Sequence, residues 1–330
     1  MITRRNIVLS LGAGALSAPF ELFAQRPQMA RVGILASGSQ SGSANLYGEF
    51  AQALKDLGHV EGKSIAFESR YANGDLDRLP ALAAELIKRN VDVLFAPNSP
   101  AVRAARQAAV TTPVVFAVVN DPVERGFVES LARPGGNITG VMSIAPGLNN
   151  QRLQMLKEMS PKISHLAVAI AREPNATSQV TAQINQVRRA AETNGLDMLS
   201  IEIRSRNSFV EASEILRKWR VDSLSCLDSA GIFYNRDVLI DFAASMKLPA
   251  VYPSSEYVEA GGLMSYGANT EWNYRHAALY VDKILKGEKP GGLAVEAPTR
   301  LELALNRKVA KELGLQFSPA LLQKANRLIG

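Results

Sequence analysis

The residues whose types could hold or transform a small molecule gather at the ends of predicted strands. Residues 91–101 read VDVLFAPNSPA: an apolar run suited to a buried strand, a Pro-Asn-Ser-Pro corner, then a helix predicted to begin at Ala101. Residues 221–231, VDSLSCLDSAG, repeat that design. In the shared register Val91, Asp92, Leu94, Ser99 and Ala101 face Val221, Asp222, Leu224, Ser229 and Gly231, and neutral Asn98 faces chargeable Asp228. An open parallel sheet binds ligands beyond the carboxyl ends of its strands, where helix amino termini offer unpaired N–H groups. Loops in that position carry the candidate ligand-binding residues. These are Ser37, Gly38, Ser39, Asn98, Ser99, Asn120 and Asp121 in the first half, and Asn175, Asp228, Ser229, Tyr252 and Ser254 in the second. Serine hydroxyls and backbone N–H groups can hold a carboxylate without importing a positive charge, and an aspartate can hold an ammonium. That division suits a zwitterion, with Asp121 and Asp228 as cation partners and the first half facing the anionic end.

Each assignment has a structural competitor. Ser99, Ser229 and Asn45 read equally well as caps of the following helices. Asp121 before Pro122 also reads as a turn initiator. Phe233 and Tyr234 can stack on an aromatic ligand, although aromatics beginning a helix more often belong to the core. Gly135 and Gly136 precede a strand and lack a Lys-Ser/Thr ending, which suits a tight turn and not a phosphate loop. His59, His165 and His276 have no metal-site spacing, Glu256 and Glu259 read as a solvated helix face, and no Gly-x-Ser-x-Gly elbow occurs. No cofactor, metal or catalytic group is expected. An exported α/β enzyme working on a small molecule in the same cleft is the alternative, and a sensory module related to sugar-type repressors a third reading, for which no helix-turn-helix precedes Arg31.

The bulk numbers fit a two-domain globular chain. Its 330 residues are 47% hydrophobic and 21% charged, with a formal net charge of +6. Residues 1–25 pair a basic start, MITRRN, with a short apolar run and a small-residue cleavage site, the pattern of a signal peptide, and TRRNIVL permits a twin-arginine route. Without that segment the charge is roughly +5 and dispersed, so no nucleic-acid partner is expected. Cys226 is the single cysteine and lies in a predicted buried strand, so there is no internal disulfide and no lipid-attachment cysteine near the signal. A periplasmic location and a monomer are expected.

Elements that would position the loops alternate regularly. Strands are predicted over 31–36, 64–71, 91–96, 113–119 and 138–143, with helices over 45–57, 76–88 and 101–109 and a last helix after Pro122. The rhythm restarts with a helix over 149–159, strands at 165–171 and 197–203, helices over 177–194 and 209–219, the repeat at 221, a helix over 232–246 and strands from 249 and 261. A helix over 273–285, a strand over 300–305 and helices over 308–313 and 319–328 close the chain. Pro113 and Val115 answer Pro249 and Val251, so the halves read as duplicated doubly wound units.

Four stretches resemble one family: 58–96 (GHVEGKSIAFESRYANGDLDRLPALAAELIKRNVDVLFA), 112–141 (TPVVFAVVNDPVERGFVESLARPGGNITGV), 248–267 (LPAVYPSSEYVEAGGLMSYG) and 280–315. The chain is similar to the periplasmic substrate-binding proteins of ABC transporters, in the group of tryptophan- and tyrosine-type binders. The resemblance implies an α/β fold of two Rossmann-like lobes, each a parallel sheet with helices on both faces, joined by a three-crossing hinge around a central cleft of the periplasmic-binding type I class. It implies a small organic, amino-acid-like or carboxylate-bearing solute and a membrane ABC permease as partners. The lobes are expected over 30–143 plus about 271–292 and over 144–270 plus about 293–330. One departure is Ala171-Arg172-Glu173-Pro174-Asn175, where an Asn-Pro-like loop is the family pattern; the charged pair keeps an aromatic amino acid from being carried over directly.

Overall fold

Two sheets carry the chain, and both are built around the same strand order. The computed structural model describes residues 29–330 apart from 110, 145–146, 172–176 and 204–205. The first sheet contains β1 (Ala30–Ala36), β2 (Ile65–Tyr71), β3 (Val93–Phe95), β4 (Val114–Val119) and β5 (Ile138–Met142), all parallel, in the order β2-β1-β3-β4-β5. Helices α1 (Ala44–Asp56), α2 (Leu79–Lys88) and α3 (Ser99–Ala108) connect them. Val93 and Phe95 of β3 point to one apolar layer and Leu94 to the other, so the strand is buried on both faces. Phe95 stacks on Phe50 with ring centroids 4.1 Å apart.

The second sheet repeats that order and extends it. After α4 (Leu148–Met159) come β6 (His165–Ala171), α5 (Thr177–Thr193), β7 (Asp197–Ile203), α6 (Arg206–Lys218), β8 (Ser223–Cys226), α7 (Ala230–Phe233) and α8 (Arg236–Ser245). Then β9 (Ala250–Tyr252), α9 (Ser255–Glu259) and β10 (Met264–Ala268) complete β7-β6-β8-β9-β10, the counterpart of the first sheet. The duplicated residues make duplicated bonds. Leu94 N donates to Pro113 O at 2.8 Å and Leu224 N to Pro249 O at 2.9 Å. Asp92 accepts from the Arg31 amide at 2.7 Å, and Asp222 from the His165 amide at 2.9 Å, so each Val-Asp start ties down an amide in the first two residues of the neighbouring strand.

After β10 the chain returns to the first sheet as α10 (Thr270–Leu285), whose Tyr274, Ala277, Ala278 and Val281 pack beside Phe95. It then crosses back to form β11 (Leu301–Asn306), α11 (Arg307–Glu312), α12 (Pro319–Lys324) and β12 (Arg327–Ile329). With the passage between β5 and α4, the chain goes between the sheets three times.

Several expected elements differ. The second sheet is not wholly parallel, because β11 runs antiparallel to β10. The helix expected after Pro122 is a set of turns: Phe127 N and Val128 N both bond Pro122 O, and Gly126 takes the left-handed φ of +65° that stops a helix. The helix expected over 232–246 breaks at Asn235, whose side chain bonds Gly231 O at 2.8 Å. The one expected over 319–328 ends at Lys324; Asn326 accepts from Leu303 N at 2.9 Å and donates its own amide back, which aligns β12 beside β11.

Candidate ligand-binding cleft

The carboxyl ends of both sheets face one another across a cleft of about 740 Å³, counted out to its open mouth, a size typical of small-molecule sites. On the first wall, Ser37 follows β1 and Asn98 follows β3, the neighbouring strands at which the order reverses. Asn98 accepts from the Ser37 hydroxyl at 2.8 Å and from Ala101 N at 3.3 Å, so it is the cap of α3. On the second wall Ser229 caps α7 through Ile232 N at 3.4 Å. The cap therefore moves by one position between the two repeats. Asn98 uses its side-chain oxygen on its own helix, whereas its counterpart Asp228 leaves capping to Ser229 and lines the cleft.

Asn120, at the end of β4, connects the walls. Its side-chain oxygen accepts from the Ser143 hydroxyl, and its Nδ2 donates to the Asp228 backbone carbonyl at 2.7 Å. Its own carbonyl accepts from Arg125 Nε at 2.9 Å. Arg125, only 8% exposed, brings a positive charge to the first wall. It arrives there by the turn after Pro122, in which its amide bonds Asp121 O at 3.0 Å.

The Asp228 carboxyl is pushed above the usual carboxylate range by burial, partly opposed by the positive charge of Arg152 and by the neighbouring Ser143 hydroxyl, whose one proton is shared with Asn120. Arg152 lies behind it, 3% exposed, donating to Tyr266 O at 2.6 Å, Asn149 Oδ1 at 3.1 Å and Pro253 O at 3.2 Å. Burial holds its pKa below the ordinary arginine value. Pro253 lines the cleft, and Gly267 allows its close approach: a Cβ at 267 would sit 1.8 Å from Pro253 O. Leu46, Val118, Phe233, Tyr234 and Tyr274 supply the apolar part of the lining.

Of the residues expected from the sequence, Asn98, Ser99, Asn120, Asp228, Ser229 and Ser254 come together around the cleft. Ser37 is fully buried behind Asn98, and Gly38 lies under the Tyr234 ring. The Ser39 hydroxyl accepts from Gly42 N at 3.0 Å, within its own loop. Asp121 holds a left-handed φ of +47° at the start of the Arg125 turn. Tyr252 is 1% exposed and stacked on Tyr257 in the core of the second sheet. Asn175 and the Arg172-Glu173-Pro174 departure lie outside the described residues. Ser99 begins α3 without capping it, and Asn45, inside α1, bonds Glu271 at 3.1 Å. The Cys226 thiol is buried in β8, and burial pushes its pKa up to about 12. His59 and His276 pair with Asp282 and Glu296 at 2.8 and 2.7 Å.

Arg125 and Ser143, which line the cleft, and Arg152, buried behind Asp228, are residues that the strand-end pattern does not pick out. The one available signal was Asp-Pro-x-x-Arg at 121–125, a turn that returns the arginine toward the strand end it follows.

A family model described as ABC transporter substrate binding protein matches residues 31–329. The chain belongs to that family. A curated relative, the tyrosine-binding protein of Clostridioides difficile (strain R20291), is 25% identical over 273 residues, spanning 81% of this chain and 76% of that one. The crystal structure of a conserved domain protein from Vibrio cholerae matches with a TM-score of 0.83 at 25% identity, covering 91% of this chain and 100% of the other. An ABC domain from Streptococcus pneumoniae in complex with L-Trp has the same fold, with a TM-score of 0.83 at 22% identity over 91% and 99% of the two chains. As a substrate-binding protein, the chain serves ABC-transporter solute capture on the extracytoplasmic side, with a small-molecule ligand and an ABC permease as its partners.

Proposed function

We propose that the ligand is an amino-acid-like zwitterion held lengthwise across the cleft. The observation that carries this is a pair of opposite charges on its two walls: Arg125 on the first, lining the cleft with the amino terminus of α3, and Asp228 on the second, near enough for Arg125 to favour its ionised form. A carboxylate is stabilised by the arginine and by the positive end of α3, and an ammonium by the aspartate. Phe233, Tyr234 and Tyr274 give the ligand's side chain an apolar flank. The tyrosine-binding relative and the L-Trp-complexed neighbour make these two amino acids the first compounds to test.

The lobes in this reading are 30–143 with about 271–292, and 144–270 with about 293–330. Residues 1–25 direct export to the periplasm, where the monomeric mature chain binds, closes and presents the closed shape to its permease without turning the ligand over. Closure converts differential affinity for the shut form into a docking signal.

Mass spectrometry of the solute released from purified chain tests the proposal. One small zwitterion at one per chain is expected. A chain free of solute, whose melting is unmoved by a panel of amino acids and carboxylates, would contradict it.

A further inference from the structure

We propose that Tyr234 and Gly38 form the latch that holds the two lobes shut, and that position 38 is glycine to admit the tyrosine. Tyr234 ends α7 on the second wall, and its ring lies directly on Gly38, which follows β1 on the first. A Cβ at position 38 would stand 2.4 Å from Tyr234 Cε1 and 3.0 Å from Cζ; the next nearest atom, Ser43 Oγ, is 3.1 Å away. The tyrosine hydroxyl accepts from Asn98 Nδ2 at 3.4 Å and is hydrogen-bonded with the Gly38 backbone and the Ser43 side chain. All three partners lie on the first wall, and Asn98 is itself held by Ser37.

Gly38 does not have the left-handed backbone that would require glycine, since it is absent from the positive-φ residues of the chain. The space it leaves is claimed from across the cleft. An alanine there is therefore compatible with the first lobe's backbone, and its severe clash arises when the second lobe closes. Asn98 and Tyr234 also line the cleft, so the contact that shuts the lobes is continuous with the ligand's surroundings. Its coupling to a ligand rests on the zwitterion reading above; the latch rests on the packing at Gly38.

Single-molecule energy transfer on the full mature chain tests this. Dyes are attached at Glu61→Cys and Glu211→Cys, two exposed positions, one on each lobe. The closed-to-open ratio is counted without solute and with L-tryptophan. Gly38→Ala is expected to lower the ratio at least tenfold while leaving the melting temperature of the solute-free chain unchanged. In a Tyr234→Ala background, where the ring is gone, Gly38→Ala is expected to change the ratio less than twofold, a non-additivity that separates the contact from local damage. An unchanged ratio in Gly38→Ala, an equal fall in both backgrounds, or a parent chain with no closed population under any condition would overturn the latch. A parent ratio indifferent to L-tryptophan and to the other amino acids counts against the zwitterion reading instead, and the solute-free ratios still decide the latch.

Discussion

Replacing Asp228 by asparagine removes the negative charge from the second wall and keeps the side chain's shape. A charge-assisted hydrogen bond from a ligand ammonium contributes ~1.5–3 kcal/mol, which is roughly 10- to 150-fold in Kd. Stability should move the other way. Burial raises the Asp228 pKa despite Arg152, so desolvation outweighs that attraction. With the folded pKa above the unfolded one, the folded chain holds a proton that the unfolded chain has already lost, and stability falls as pH rises through that window. The unliganded variant is therefore expected to melt above the parent at neutral pH, with the difference closing below the unfolded carboxylate value of about 3.9. In the parent, affinity for an ammonium-bearing ligand should fall as pH drops through the raised Asp228 pKa, and in the variant this dependence should be lost. Isothermal titration from pH 4 to 8 and melting curves from pH 3 to 8 measure both effects. Unchanged affinity in Asp228→Asn, or a lower melting temperature at neutral pH, would refute the reasoning.

Three further changes separate binding from folding. Arg125→Met is expected to weaken an amino acid about tenfold or more and leave its decarboxylated amine unaffected, which titration of both compounds checks. Asn98→Ala removes the α3 cap and the acceptor of the buried Ser37 hydroxyl; urea unfolding should show a loss of about 2 kcal/mol. Gly267→Ala places a carbon 1.8 Å from the Pro253 carbonyl oxygen, and the backbone shift it forces should cost about 3 kcal/mol by the same assay, the upper end of the usual overpacking range.

The duplicated fold was readable because its signals are local and repeated. Val91-Asp92 and Val221-Asp222 recur because each aspartate ties down an amide at the start of a neighbouring strand, and Pro113 and Pro249 stand at equivalent places, each carbonyl accepting from the leucine two residues after that aspartate. The tail was harder. Residues 327–329 follow a short helix, and pairing with residues 304–306, aligned by the bonds of Asn326 with Leu303, makes a strand of them. In the cleft, Asn98, Asn120 and Asp228 follow from their places at strand ends. Arg152 does not: an arginine in a helix ordinarily reads as solvated, and its burial depends on the Pro253 and Tyr266 carbonyls, more than 100 residues away in sequence. Gly38 was expected to touch ligand as part of a polar loop, whereas the structure packs it against Tyr234, a contact between the two halves that no local pattern encodes.

The central claim is that one cleft reads both ends of a zwitterion. Calorimetric titration of the mature chain with an L-amino acid, the amine lacking its carboxylate and the acid lacking its ammonium tests it most directly. The account predicts tight one-to-one binding of the amino acid and at least tenfold weaker binding of each truncated compound. Equal affinity for all three, or for the amino acid and either one, would contradict it.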